Sequence, residues 1–171
     1  MSTYAIVTFP EADTTEVEEF RSRWDPQSTL VAAHVTSAFP FEWPATLDDL
    51  VTAVARLASE HHAFPLSVRD AIIWEDQYLF LMVVERHDEI ADLHRALYRG
   101  PLAYLPPPAP FVPHMTIGRQ SDPARARAEA ATLRVEGRIT SVSVFRLEPG
   151  GPRMGVADLR LPALTTRLSS Q

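Results

Sequence analysis

The sequence predicts an α+β fold of two pseudo-symmetric lobes, and three observations predict it. A strand pattern carrying His34-Val35-Thr36 and a second carrying His114-Met115-Thr116 stand 80 positions apart, 114 minus 34. Each is followed by a helix and then two strands, so one element order occurs twice. The turns between paired strands are short, which implies antiparallel ladders. Two such lobes would bring the histidine strands together in a cleft.

The elements follow in order. Thr3 to Phe9 reads as a strand. Thr14 to Trp24 reads as a helix with Val17, Phe20 and Trp24 on one face. Leu30 to Ala38 is the first histidine strand, with Pro40 and Pro44 closing it. Thr46 caps a helix whose apolar residues Leu47, Leu50, Val51, Val54, Leu57 and Ala58 keep helical spacing. Ser67 to Trp74 and Tyr78 to Glu85 are two strands joined by Glu75-Asp76-Gln77. Asp88 to Tyr98 is a third helix, ended by Gly100-Pro101. The proline-rich Leu105 to Pro110 is a stiff, extended lead-in to the second histidine strand. Pro123 to Leu133 is an alanine-rich helix. Arg138 to Glu148 and Met154 to Leu161 form a hairpin across residues 149–152. Residues 1–165 are expected to form one bilobal domain and residues 166–171 a loose tail.

Composition removes whole classes of chemistry. The chain has no cysteine, hence no thiol nucleophile, disulfide or thiolate metal site. It has no lysine either: all 16 basic residues are arginine. That excludes a Walker lysine, a Schiff base and an ATP-dependent ligase working through a lysyl-adenylate. No apolar run approaches the length that spans a bilayer. With 46% apolar residues and no signal-peptide pattern, a soluble cytoplasmic protein, a monomer without membrane association, is expected. Net charge is −6, divided as −10 over residues 1–85 and +4 over residues 86–171. Tight binding to long nucleic acid needs a broad basic surface, which this balance lacks. A small phosphorylated ligand, or an RNA end held by a few arginines, fits better.

Alternate strand residues share a face, so each histidine and the threonine two positions on point the same way. Thr36 and Thr116 can donate hydroxyl hydrogen bonds to phosphate oxygens, and His34 and His114 can gain or lose a proton near neutral pH. Phe39, Phe41, Tyr104 and Phe111 flank the motifs and are candidates for stacking on a base. Arg119 stands at an odd offset from His114, so it leaves the shared face if the strand is regular but reaches the cleft rim if the strand ends at Gly118. His61-His62 sits at a helix C-terminus, and His94 falls on an inner helix face; packing explains these best. No cluster with metal-ligand spacing occurs, and no cofactor is expected.

His34-Val35-Thr36 with Phe39-Pro40-Phe41, and Phe111-Val112-Pro113-His114-Met115-Thr116-Ile117-Gly118-Arg119, resemble the two His-x-Thr motifs of the 2H phosphoesterase superfamily. The nearest branch is the bacterial 2′-5′ RNA ligase group, and the resemblance spans residues 3–161. It implies a bilobal fold with two antiparallel sheets lining a central cleft and helices outside. It also implies metal-free opening of 2′,3′-cyclic phosphates on nucleotides or RNA ends, with reverse 2′-5′ ligation that needs no ATP. By the same resemblance His114 would act on water and His34 on the leaving oxygen. Ser37 and Ala38 replace bulky aliphatics, so altered packing is expected there rather than lost activity. Two other functions compete: a non-catalytic module binding a nucleotide or RNA end in the same cleft, and a plain structural domain.

Overall fold

A computed structural model describes residues 2–75, 77–108, 110–119, 123–148 and 153–164. The expected turn at residues 149–152 and the tail at residues 166–171 lie outside the described residues.

Nine strands and four helices form among the described residues. The strands are β1 (Thr3–Thr8), β2 (Pro10–Glu11), β3 (Val35–Glu42), β4 (Phe64–Trp74), β5 (Tyr78–Glu85), β6 (His114–Arg119), β7 (Val135–Ile139), β8 (Ser141–Leu147) and β9 (Arg153–Arg160). The helices are α1 (Thr15–Trp24), α2 (Leu47–Ser59), α3 (His87–Arg99) and α4 (Pro123–Glu129), the last continued by a 3-10 turn at Ala130–Thr132. Every ladder is antiparallel, and the strands join in the order β2-β7-β4-β5-β6-β3-β1-β8-β9.

One lobe holds β2, β7, β4, β5 and β6, with α1 and α4 packed on it; the other holds β3, β1, β8 and β9, with α2 and α3. The two sheets of the lobes run into each other at one residue pair, Val35 of β3 opposite Met115 of β6. The lobes are also tied by backbone. After Phe9 the chain passes from β1 in one lobe to β2 in the other, and at Thr140 it passes from β7 to β8. The span Arg138 to Glu148, expected as one strand, is therefore two strands in different lobes. The buried apolar positions change phase across the crossing, from the odd-numbered Val135 and Ile139 to the even-numbered Val142 and Val144, and this change marks the switch of partner.

Each helix buries a side against the sheet because its apolar residues recur at helical spacing. In α2 these are Leu50, Val54, Leu57 and Ala58, and Thr46 with Asp49 closes a reciprocal capping box at its start. Gly118 lets α1 come close: a Cβ there would stand 3.2 Å from the Trp24 carbonyl oxygen. The first histidine strand begins at Val35, later than expected, and runs through Pro40 to Glu42. Pro40 is tolerated because it lies in a register shift opposite β1, where no ladder hydrogen bond is required.

Candidate active site

Val35 and Met115 are fully buried on the helix side of the sheet. Their neighbours in sequence point to the opposite face. Continuing the Val35–Met115 register by one residue each way sets His34 opposite Thr116 and Thr36 opposite His114. The four side chains thus ring one cross-strand pair, each histidine beside the other motif's threonine. His34 and His114 are diagonal neighbours, a relation with a spacing of about 7–8 Å. A phosphate accepting hydrogen bonds of about 2.8 Å from either side fits such a gap.

Both imidazoles are held by the same local device. His34 Nδ1 lies 2.7 Å from the Ala32 carbonyl and His114 Nδ1 lies 2.6 Å from the Val112 carbonyl. In each case the carbonyl belongs to the residue two positions earlier. A carbonyl only accepts, so Nδ1 carries the proton and Nε2 of the neutral ring is left as an acceptor. His114 stacks on Phe80, ring centroids 3.7 Å apart, while His34 leans on Phe9 at 5.7 Å. Burial pushes both imidazoles below the ordinary histidine value, more than the carbonyl bonds raise them. The charges of Arg21 and Arg153 lower His34 further, and Asp25 opposes them.

The lead-in to His34 is anchored to α1. Arg21, buried in the last turn of that helix, pairs with Asp25 and Glu18 and donates to the Val31 carbonyl at 3.0 Å. Glu18 in turn accepts from the Ala33 backbone N–H at 2.5 Å.

A β-bulge follows each motif. Val7 and Ile6 of β1 pair with Thr36 and Ala38, so Ser37 is the extra residue in β3. Phe80 and Leu79 of β5 pair with Thr116 and Gly118, so Ile117 is the extra residue in β6. One added residue reverses the alternation. Ser37 and Ala38 go into the core, and Phe39 returns to the cleft face. Gly118 likewise turns to the core and Arg119 returns toward the cleft. Phe39 and Arg119 each stand five residues after their histidine and are structural counterparts.

Two cavities meet at Phe39. One, of about 150 Å³, is lined by His34, Thr36, Phe39, Phe145, Leu147 and Arg153 among others. The other, of about 520 Å³, is lined by Phe39, Trp74, Tyr78, Phe80, His114 and Thr116 with its neighbours. Arg119 lines neither cavity but packs on Tyr78, which lines the second, its guanidinium 5.2 Å from the Tyr78 ring centroid and Nε donating to Gln77 Oε1.

The other flanking aromatics separate. Phe111 packs edge-on against Phe39 and stacks on buried His94, 3.7 Å between centroids. Phe41 is buried in the core against Tyr4. Tyr104 is exposed, donates its hydroxyl to the Glu42 carbonyl at 2.5 Å and packs on Trp43, away from both cavities. His61 Nδ1 bonds the Leu57 carbonyl at the end of α2, and His94 Nδ1 bonds the Ser37 carbonyl. Phe80, Trp74, Tyr78, Phe145, Gln27 and Arg153 line the cleft without a sequence signal, because they come from strands and a loop remote from the motifs. Among the described residues no group of three or more histidines or carboxylates could hold a metal ion, and no helix is long and apolar enough to cross a membrane.

This paired arrangement on a bilobal antiparallel sheet defines a class: the chain belongs to the 2′-5′ RNA ligase superfamily, the 2H phosphoesterases, whose family model matches residues 9–151. A protein of Geobacillus thermodenitrificans named as a phosphoesterase is 32% identical over 119 residues, 68% of each chain. A Bacillus pumilus protein named likewise is 32% identical over 124 residues, 68% of this chain and 70% of its own. The fold matches the crystal structure of the Thermus thermophilus protein TT0787, with a TM-score of 0.70 at 20% identity, covering 96% of this chain and all of that one. It also matches Escherichia coli LigT complexed with 3′-AMP, with a TM-score of 0.63 at 18% identity over 94% of this chain and 98% of that one.

Proposed function

We propose that the cleft opens 2′,3′-cyclic phosphates on nucleotides or RNA ends by two-histidine acid–base catalysis without a metal ion. One observation carries this reading: His34, Thr36, His114 and Thr116 ring the Val35–Met115 pair on the face away from the helices. LigT has been solved with 3′-AMP and with phosphate, and a phosphorylated nucleotide is the ligand class that suits these four side chains here.

In the proposed step, neutral His114 takes a proton from water through Nε2 as the water oxygen bonds to phosphorus. The bond from phosphorus to one ribose oxygen breaks on the opposite side. Protonated His34 gives that oxygen a proton, and the product is a phosphomonoester. Thr36 and Thr116 donate to the non-bridging oxygens, where negative charge is held through the transition state. An RNA 5′-hydroxyl in place of water turns the same step into 2′-5′ ligation, with no ATP consumed.

The test is turnover of 2′,3′-cyclic nucleotides and cyclic-phosphate-ended RNA by purified protein in EDTA, following the phosphomonoester product. Turnover is expected to survive EDTA. His34→Ala and His114→Ala are each expected to slow it by about 10²–10⁴-fold. A substrate with a better leaving group should rescue His34→Ala but not His114→Ala; the reverse result exchanges the two roles. No turnover of any cyclic phosphate, or activity abolished by EDTA and restored by a divalent ion, ends the reading.

A further inference from the structure

The two halves of the cleft differ in charge. The half around His114 is aromatic, with Trp74, Tyr78 and Phe80, and includes the carboxylate Glu75. The half around His34 holds Arg153, the one cation among the described residues lining either cavity. Arg153 begins β9, opposite Leu147 of β8, which lines the same cavity. Its guanidinium donates through Nη2 to Gln27 Oε1 at 2.7 Å, and among the described residues it makes no ion pair. A neutral amide therefore fixes the fork in place without cancelling its charge, and the remaining donors stay available. A planar guanidinium set in this way matches the paired oxygens of a phosphate group.

Arg153 makes no hydrogen bond to His34. Apart from His34, Thr36, Gln27 and Arg153 the lining of this cavity is apolar, and includes Ala5, Val7, Phe145 and Leu147. Such a lining gives a charged group no partner among the described residues of this cavity other than His34, Thr36, Gln27 and Arg153. We propose that Arg153 and Gln27 form a second phosphate subsite, which takes a phosphate of the substrate other than the one attacked. The inference rests on the reading above, in which the attacked phosphate lies between the histidines. It makes the preferred substrate a cyclic phosphate bearing another phosphate, either a terminal 5′-phosphate or the diester to the next nucleotide. A bare nucleoside cyclic phosphate leaves the subsite empty.

Calorimetric titration separates this from the reading it rests on, because it needs no turnover. The probes are adenosine 3′-phosphate, adenosine 3′,5′-bisphosphate, and the dinucleotide ApA with a 3′-phosphate. The wild-type protein is expected to bind at least one two-phosphate probe about 10–100-fold more tightly than the monophosphate, the usual worth of a hydrogen-bonded charge pair. Preference for the bisphosphate identifies a terminal phosphate as the occupant, and preference for the dinucleotide identifies the diester. The preference should collapse toward one in Arg153→Gln. It should also collapse in Gln27→Glu, which keeps the arginine but sets a carboxylate against it and serves if the first variant does not fold. Equal affinities for all three probes in the wild type, or a preference retained in either folded variant, overturns the proposal. Absence of cyclic-phosphate turnover with the preference intact overturns only the catalytic reading.

Discussion

The imidazoles at the centre of the cleft are tuned by burial more than by charged partners. Both imidazoles are held below their ordinary value by burial first, and the carbonyls of Ala32 and Val112 only partly offset it. Acid–base catalysis by such a pair gives a bell-shaped dependence on pH. Both limbs of kcat/KM, which report the free enzyme, are expected on the acid side of the profile that unperturbed imidazoles near ~6.5 would give. A bound phosphate anion favours the protonated rings, so the limbs of kcat should lie higher than those of kcat/KM. Rate profiles across pH 4–9 read this, and a kcat/KM optimum well above neutrality would contradict it. Thr36→Ala and Thr116→Ala should cost less than either histidine, since each removes one donor and leaves the proton transfers intact.

Local elements carry the histidines to that geometry, and α1 with the segment after it contributes most. Arg21 is 2% exposed and its partner Asp25 is 6% exposed. Removing one member of a buried pair strands the other charge, at a cost of about 3–5 kcal/mol. Arg21→Met is therefore expected to lower Tm strongly and, where the protein stays folded, to reduce activity by freeing Val31 and Ala33 ahead of His34. By comparison Thr46→Ala, which opens the α2 capping box, should cost about 0.5–2 kcal/mol and leave kcat unchanged, as thermal melting with steady-state kinetics would show. The motifs and the four central side chains were legible because strand alternation fixes which residues share a face. The helices were legible for the matching reason at helical spacing. The bulges at Ser37 and Ile117 were not, since an extra residue leaves no mark in an apolar strand. Simple alternation therefore turns Phe39 and Arg119 away from the cleft. The break at Thr140 does leave a mark, the phase change between Ile139 and Val142, whereas Arg153 and Gln27 become neighbours only through tertiary folding.

At the scale of the whole molecule, three histidines are carried at lowered values: His34, His94 and His114, each with burial as the first cause. An unfolded imidazole near ~6.5 binds a proton more readily than any of these folded ones. The unfolded state thus holds more protons over the interval below that value, and the free energy of unfolding rises with pH through it. Stability is expected to be level above pH 7 and to fall as pH drops through the unfolded value toward the folded ones. Melting temperatures between pH 8 and 5 measure this, and His94→Gln, which cannot titrate, should flatten the slope. A melting temperature that climbs on acidification would rule it out.

The crossings at Phe9 and Thr140 have a kinetic consequence. Neither lobe is a contiguous stretch of chain: β1, near the N-terminus, is completed by β8, with Thr3 opposite Leu147. Ladders between such distant segments raise contact order, and folding dominated by them runs on the millisecond-to-second scale. No early local nucleus can contain both histidines, because they meet only when the Val35–Met115 pair closes. On dilution from denaturant, helical signal should therefore recover ahead of nucleotide binding, and binding should return in the same phase as the last burial of the tryptophans. Chain cut between α2 and β4 should yield no half that binds alone, since each fragment would hold parts of both lobes and the whole of neither.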